Sequence, residues 1–178
     1  MTGLELMQAM LDGLIPPPSI STTIPMQGLS VESGKVVFQA RADDRHLNPL
    51  GAVHGGFAAT VMDTVTGCAV HTLLGAGEGY GTIDLNVKMM RPVPRDVDLL
   101  AEGNVINISR SLAVSEGTLK DAEGKTVWTA TITGADGGSN VMRSAFSMTE
   151  EIFQKALAEV AVNASKAFQT PEFLAAAK

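Results

Sequence analysis

The chain's 178 residues are one domain's length, and 45% hydrophobic against 18% charged residues excludes a disordered, solvating polymer. Thirteen Lys+Arg against nineteen Asp+Glu leave a formal charge of -6, which, with 4% aromatics, excludes a nucleic-acid binder that tracks phosphates or stacks on bases. A single cysteine, Cys68, excludes an intramolecular disulfide and a multi-cysteine metal site and fits a reducing compartment.

The first residues carry no basic region, and Glu5 and Asp12 interrupt what an export signal would keep apolar. Residues 57–74, the longest weakly charged run, contain Asp63 and fall short of the ~20 apolar residues that span a bilayer. A cytoplasmic protein with no membrane partner is the expectation.

Leu4, Met7, Met10, Leu11 and Leu14 recur at helical spacing over 4–14, and Pro16, Pro17 and Pro18 are expected to stop that helix. Two extended runs, 26–33 and 35–42, flank Ser33-Gly34 and read as a hairpin. Residues 43–51, with Asn48-Pro49 and Gly51, read as a loop. Residues 55–74 then form a helix apolar nearly all round, the kind buried at the centre of a domain, with glycines at 75, 77, 79 and 81 ending it. Strands are expected over 81–93, 98–109, 112–120 and 125–136, meandering through short turns into a curved antiparallel sheet. The result is an α+β fold in which the sheet wraps the helix. Residues 1–18 form an N-terminal helix and stop, 19–138 the main domain, and 139–178 a helical extension that Ser147-Met-Thr-Glu150 opens as a capping box.

Chemistry concentrates in Asn48, His54, Gly55 and Gly56, followed by Asp63 inside the apolar helix. The first helical amides, at Gly55 and Gly56, lack intrahelical partners at the positive end of the helix dipole, which suits an oxyanion. Asp63 lies two turns beyond Gly56, about 10 Å along the axis, so one carbonyl cannot touch both. Two antiparallel copies of the helix in a two-fold dimer bring Asp63 of one to Gly55 and Gly56 of the other.

The order Asn48-Pro-x-Gly-x-x-His-Gly-Gly, Asp63, Thr82-Ile-Asp-Leu-Asn86 and Arg91-Pro92 resembles the hotdog-fold acyl-CoA thioesterases of the phenylacetate-degradation type, over residues 26–136. The resemblance implies a hotdog fold, a homodimer pairing into a homotetramer, hydrolysis of acyl-CoA and no cofactor. It implies Asp63 as nucleophile or general base, Gly55 as oxyanion donor, and Asn48 and His54 orienting the thioester or water. It also implies that Thr82, on a partner strand, supplies a hydroxyl near the attacking water. Gly56, Phe57, Met62, Thr64 and Arg91 are the expected substrate-binding residues, Phe57 and Met62 together with Val61 and Met89 as apolar lining. Lys88, Arg95 and Arg110 are further cations available to coenzyme A phosphates. Alternatives are a hydratase or dehydratase of acyl thioesters on the same fold and a non-catalytic acyl-CoA binder. Cys68 with His71 as a thiol dyad, and His46, His54 and Asp63 as a metal site, match no strong motif.

Overall fold

The computed structural model describes residues 1–136, so the extension expected over 139–178 lies outside the described residues. Helix α1 (Gly3–Leu11) opens on a capping box in which Thr2 Oγ1 accepts from the Glu5 amide and the Glu5 carboxylate from the Thr2 amide. It ends before the prolines. Gly13, at φ 72, donates to the Met10 carbonyl while Leu14 N–H reaches back to Ala9 O, a Schellman stop that left-handed glycine permits and that precedes Pro16. Buried Met7 and Ala9 seat α1 on the domain. A four-residue helix α2 (Ile20–Thr23), which no spacing foretold, follows.

The hairpin is β1 (Met26–Glu32) and β2 (Lys35–Arg41), turning at Gly34 with φ 78. A single 3₁₀ turn (Asp44–His46), capped by Asp43, lies inside the expected loop. The central helix α3 (Gly55–His71) stops earlier than the glycines suggest: Thr72 takes the C-cap and donates its hydroxyl to Ala69 O, while its Oγ1 accepts from the Gly34 amide at 2.7 Å. Strands β3 (Tyr80–Met89), β4 (Asp98–Ile108), β5 (Leu112–Lys120) and β6 (Thr126–Asp136) complete the chain.

Their order is β1-β2-β4-β5-β6-β3, antiparallel throughout, which corrects the expected four-strand meander. Of those four, only β4, β5 and β6 follow one another. β4 pairs with β2, and β3 crosses to the far edge to pair with β6. The connection 90–97 contains Pro92 and Pro94, which lack the N–H groups a tight hairpin turn uses, so it serves as a crossover. Register shifts at 28/30, 82/84, 105/107 and 119/120 kink the strands and add twist, and the sheet curls around α3. This is the hotdog arrangement.

The sheet approaches α3 where it has no side chains. A Cβ on Gly103 would collide with the Val65 carbonyl, and one on Gly117 with Met62 Cε at 2.8 Å and Thr66 Cγ2 at 2.9 Å. Two residues before Gly117 on β5, Ser115 Oγ donates to Thr66 O at 2.9 Å, satisfying a hydroxyl that is fully buried. Val61, Met62 and Val65 are fully buried beneath this sheet, each contributing on the order of 1.5–3 kcal/mol by burial.

Gly103→Ala is expected to lower unfolding free energy by about 1–3 kcal/mol, because backbone rather than a flexible side-chain end opposes the added methyl. Urea denaturation checks this, and an unchanged midpoint contradicts it.

Candidate functional site

The loop before α3 is closed by one side chain. Asn48 Oδ1 accepts from the Leu50 and Ala52 amides at 2.9 and 3.2 Å, its own N–H donates to Ala52 O, and Gly51 turns at φ 80. The Asn48 NH₂ group makes no hydrogen bond among the described residues.

His54 is the N-cap of α3. Its backbone N–H donates to His46 O, and its Nδ1 accepts the Gly56 amide at 2.9 Å. The ring proton therefore sits on Nε2, the nitrogen left for another partner. The Phe57 amide donates to His54 O. Of the first amides, Gly55 N–H alone makes no hydrogen bond among the described residues, and it stands at the positive end of the dipole. The expectation of two free glycine amides is thus reduced to one: the Gly56 amide is taken by its own N-cap.

Asp63, half-buried, accepts a hydrogen bond from Thr82 Oγ1 at 3.0 Å. Thr60 and Thr66, possible structural partners for that carboxylate, direct their hydroxyls to helix carbonyls instead, at Gly56 O and at Met62 O and Asp63 O. Thr82 reaches Asp63 within one chain, which corrects its assignment to a partner strand: β3 lies along α3. Tyr80, two residues earlier on the same strand, lies with its hydroxyl over Gly67, where a Cβ would collide with it. Two side chains of β3 therefore lock onto α3 one helical turn apart.

Burial pushes the Cys68 thiol up to about 12, nearby Asp63 adding to the effect, and lowers His71. The thiol stays protonated and the imidazole neutral, a pairing without nucleophilic character. Burial, with Cys68 and Asp63 adding, also raises Tyr80. His46 has both ring nitrogens engaged, with the Asp43 amide at 3.0 Å and Thr23 O at 2.7 Å, so it does not join His54 and Asp63.

The expected binding residues separate. Phe57 and His54 line a pocket of about 470 Å³ with Ile24, His46 and Leu47. Met62, fully buried, packs on Gly117 and faces the sheet, and Val61 is buried with it. Thr64 donates to Thr60 O, its hydroxyl thereby taken by its own helix. Arg91 keeps an exposed side chain, while Arg95 is held by Asp44 and Asp96 at 2.8 and 3.2 Å. Trp128 was not foreseen; its indole lies beneath Gly55, and no motif or spacing in the sequence marks a strand tryptophan as a neighbour of a helix start.

The family model described as the thioesterase superfamily matches residues 50–127, a span that holds Gly55, Asp63 and Thr82. A crystal structure of a phenylacetic acid degradation-related protein from Ralstonia eutropha JMP134 is 30% identical, with a TM-score of 0.67 over 72% of this chain and 98% of that one. The chain belongs to the thioesterase superfamily. Acyl-coenzyme A thioesterase 13 of Homo sapiens is 27% identical to this thioesterase over 100 residues, 56% of this chain and 71% of that protein. A hypothetical thioesterase protein from Streptococcus pneumoniae TIGR4, crystallised with coenzyme A, is 25% identical with a TM-score of 0.59, over 64% of this chain and 89% of that one. The enzyme is a thioester hydrolase by family.

Cys68 in the native thioesterase is expected to resist a disulfide reagent at about pH 8 and to react promptly once unfolded. Because the folded thiol is raised, its contribution to stability is full below about pH 8.5, the unfolded value. That contribution is lost as pH rises toward about 12. Thiol titration with and without denaturant checks the first point and alkaline denaturation the second; prompt native reactivity contradicts both.

Proposed function

We propose that the enzyme hydrolyses acyl-CoA thioesters to free acid and coenzyme A, in a site shared between two copies of the chain. The observation that carries this is the division of labour along α3. Gly55 offers a free amide at the helix start, and Asp63, steadied by Thr82, sits eight residues further on. At 1.5 Å per residue that is about 12 Å, too far for one carbonyl to reach both. An antiparallel second copy of α3 brings the Asp63 of each chain to the Gly55 of the other, making two equal sites.

In this reading the thioester carbonyl accepts from Gly55 N–H, which stabilises the negative charge that develops on its oxygen. Asp63 either attacks the carbonyl carbon, giving a mixed anhydride that water then hydrolyses, or takes a proton from a water that attacks; the C–S bond breaks and the thiolate leaves to be protonated as coenzyme A. Thr82 holds the carboxylate, and Asn48 and His54 offer an NH₂ group and an Nε2–H to the thioester or the water. The nucleotide's phosphates meet cations on the rim, Arg91 among them. Coenzyme A in the Streptococcus pneumoniae relative and the name of the human one support this substrate class.

Among the described residues β3 is left unpaired along one side, which supports the shared site. Beside its unpaired side stand Ile83, Met89 and, just after the strand, Met90, each more than 60% exposed. A hydratase needs an imidazole base beside the carboxylate, whereas His54 Nδ1 is committed to Gly56 N–H. None of the described helices is long and apolar enough to cross a membrane.

Thiol release from a panel of aromatic and aliphatic acyl-CoAs is the test. Asp63→Asn is expected to lower kcat by about 10²- to 10⁴-fold. Thr82→Val, which removes one hydrogen bond to a charged group, is expected to cost about 10- to 100-fold. No thiol release from any acyl-CoA by the wild type, or full activity in Asp63→Asn, contradicts the reading.

A further inference from the structure

The amide of Gly55 has no intrahelical anchor, as is true of every first-turn amide, so its direction is set by whatever the first turn rests on. It rests on Trp128. With a Cβ built on Gly55, Trp128 Cη2 would lie at 3.3 Å and Cζ2 at 3.7 Å, with Met89 Cε at 3.6 Å beside them. The indole is 3% exposed and cannot swing aside. Its other end is tied too: Nε1–H donates to the Arg91 carbonyl at 3.3 Å, and the Met90 and Arg91 amides both donate to Val127 O at 3.1 Å. One side chain thus spans from the crossover that ends β3 to the start of α3, held at both ends.

We propose that Trp128 is a positioning residue for the hydrolysis: its ring edge sets the height of the first turn of α3, and so the aim of the Gly55 amide at the carbonyl oxygen. The inference rests on the thioesterase reading with Gly55 as oxyanion donor. It also explains glycine at this position, since any side chain there meets a pinned indole rather than open space. A displacement of about 1 Å at an oxyanion donor can cost two orders of magnitude in rate, so the packing beneath it matters to the chemistry and not only to stability.

A double-mutant cycle tests this. Gly55→Ala pushes the turn off the ring, and Trp128→Phe, whose ring is shorter, lets it sag; each is expected to lower kcat about 10- to 100-fold. In each single variant KM is expected to stay within about twofold of wild type. In Gly55→Ala/Trp128→Phe the added methyl fills the space the lost ring edge leaves, and kcat is expected to recover to within about fivefold of wild type. Losses that simply multiply overturn the proposal, as does a coupling seen in unfolding free energy and not in kcat. A wild type that releases no thiol overturns the thioesterase reading and this inference with it, whereas an active wild type with multiplicative variants overturns this inference alone.

A second measurement needs no substitution. Trp128 is the chain's single tryptophan, so 5-fluorotryptophan labelling gives one ¹⁹F resonance. It is expected to shift on saturation with a coenzyme A thioether whose ketone mimics the thioester carbonyl. A resonance unmoved at saturation contradicts the role.

Discussion

An α-helix is a rigid ruler, and the chemistry proposed for this protein is arranged along one. The rise of 1.5 Å per residue fixes about 12 Å between the free amide that opens α3 and the carboxylate at its middle. No rotamer of Asp63 closes that gap, and the helix cannot bend to do so, because the sheet grips it at Gly103, Ser115 and Gly117. An arrangement that keeps both groups rigid and still brings them to one carbonyl calls on two helices. On the proposed reading, a two-fold axis turns that separation into a pair of sites.

The rest of the molecule holds that ruler still. On one side the sheet comes within backbone contact through residues that lack side chains. On another, β3 lies along the helix and fixes Asp63 through Thr82 and Gly67 through Tyr80. At the helix start, His54 caps from its ring nitrogen and Trp128 supports from below, leaving the Gly55 amide exposed to a partner. The helix end is closed in the same manner: Gly3 presses α1 against the His71 carbonyl, and its amide donates to Leu74 O. Polar groups at each end of α3 are thus satisfied by neighbours, with the Gly55 amide the exception among the described residues.

Much of this was legible in the chain. The long apolar helix, its polar interruption at Asp63 and the Asn48–Gly56 loop announce themselves by composition and order, and the strand runs by their alternation and the turns between them. The sheet order was not legible, because which strand a strand pairs with is decided across the domain and leaves no local mark; β3 is next to β4 in sequence but three places from it in the sheet. The stop of α1 at Gly13 was masked by the louder signal of three prolines. The packing of Met62 on Gly117 was not legible, because a helix apolar nearly all round gives no phase from which to tell which face meets the sheet. The Gly56 amide and Trp128 depend on side-chain geometry, a ring nitrogen turned back on its own helix and an indole edge under a glycine, which sequence spacing does not encode.

The shared site is tested most directly by mixing two inactive chains. Asp63→Asn removes the carboxylate, and Gly55→Pro removes the amide proton while its ring meets Trp128, disabling the same half of the site twice over. Refolded together, the two variants form hybrids in which one site keeps an intact Asp63 from one chain and an intact Gly55 from the other. Random pairing predicts about a quarter of the wild-type rate per chain from parents that are nearly inactive alone. A mixture no more active than its parents, with exchange of subunits verified by mass, would contradict the account, since each chain would then have to hold a complete site of its own.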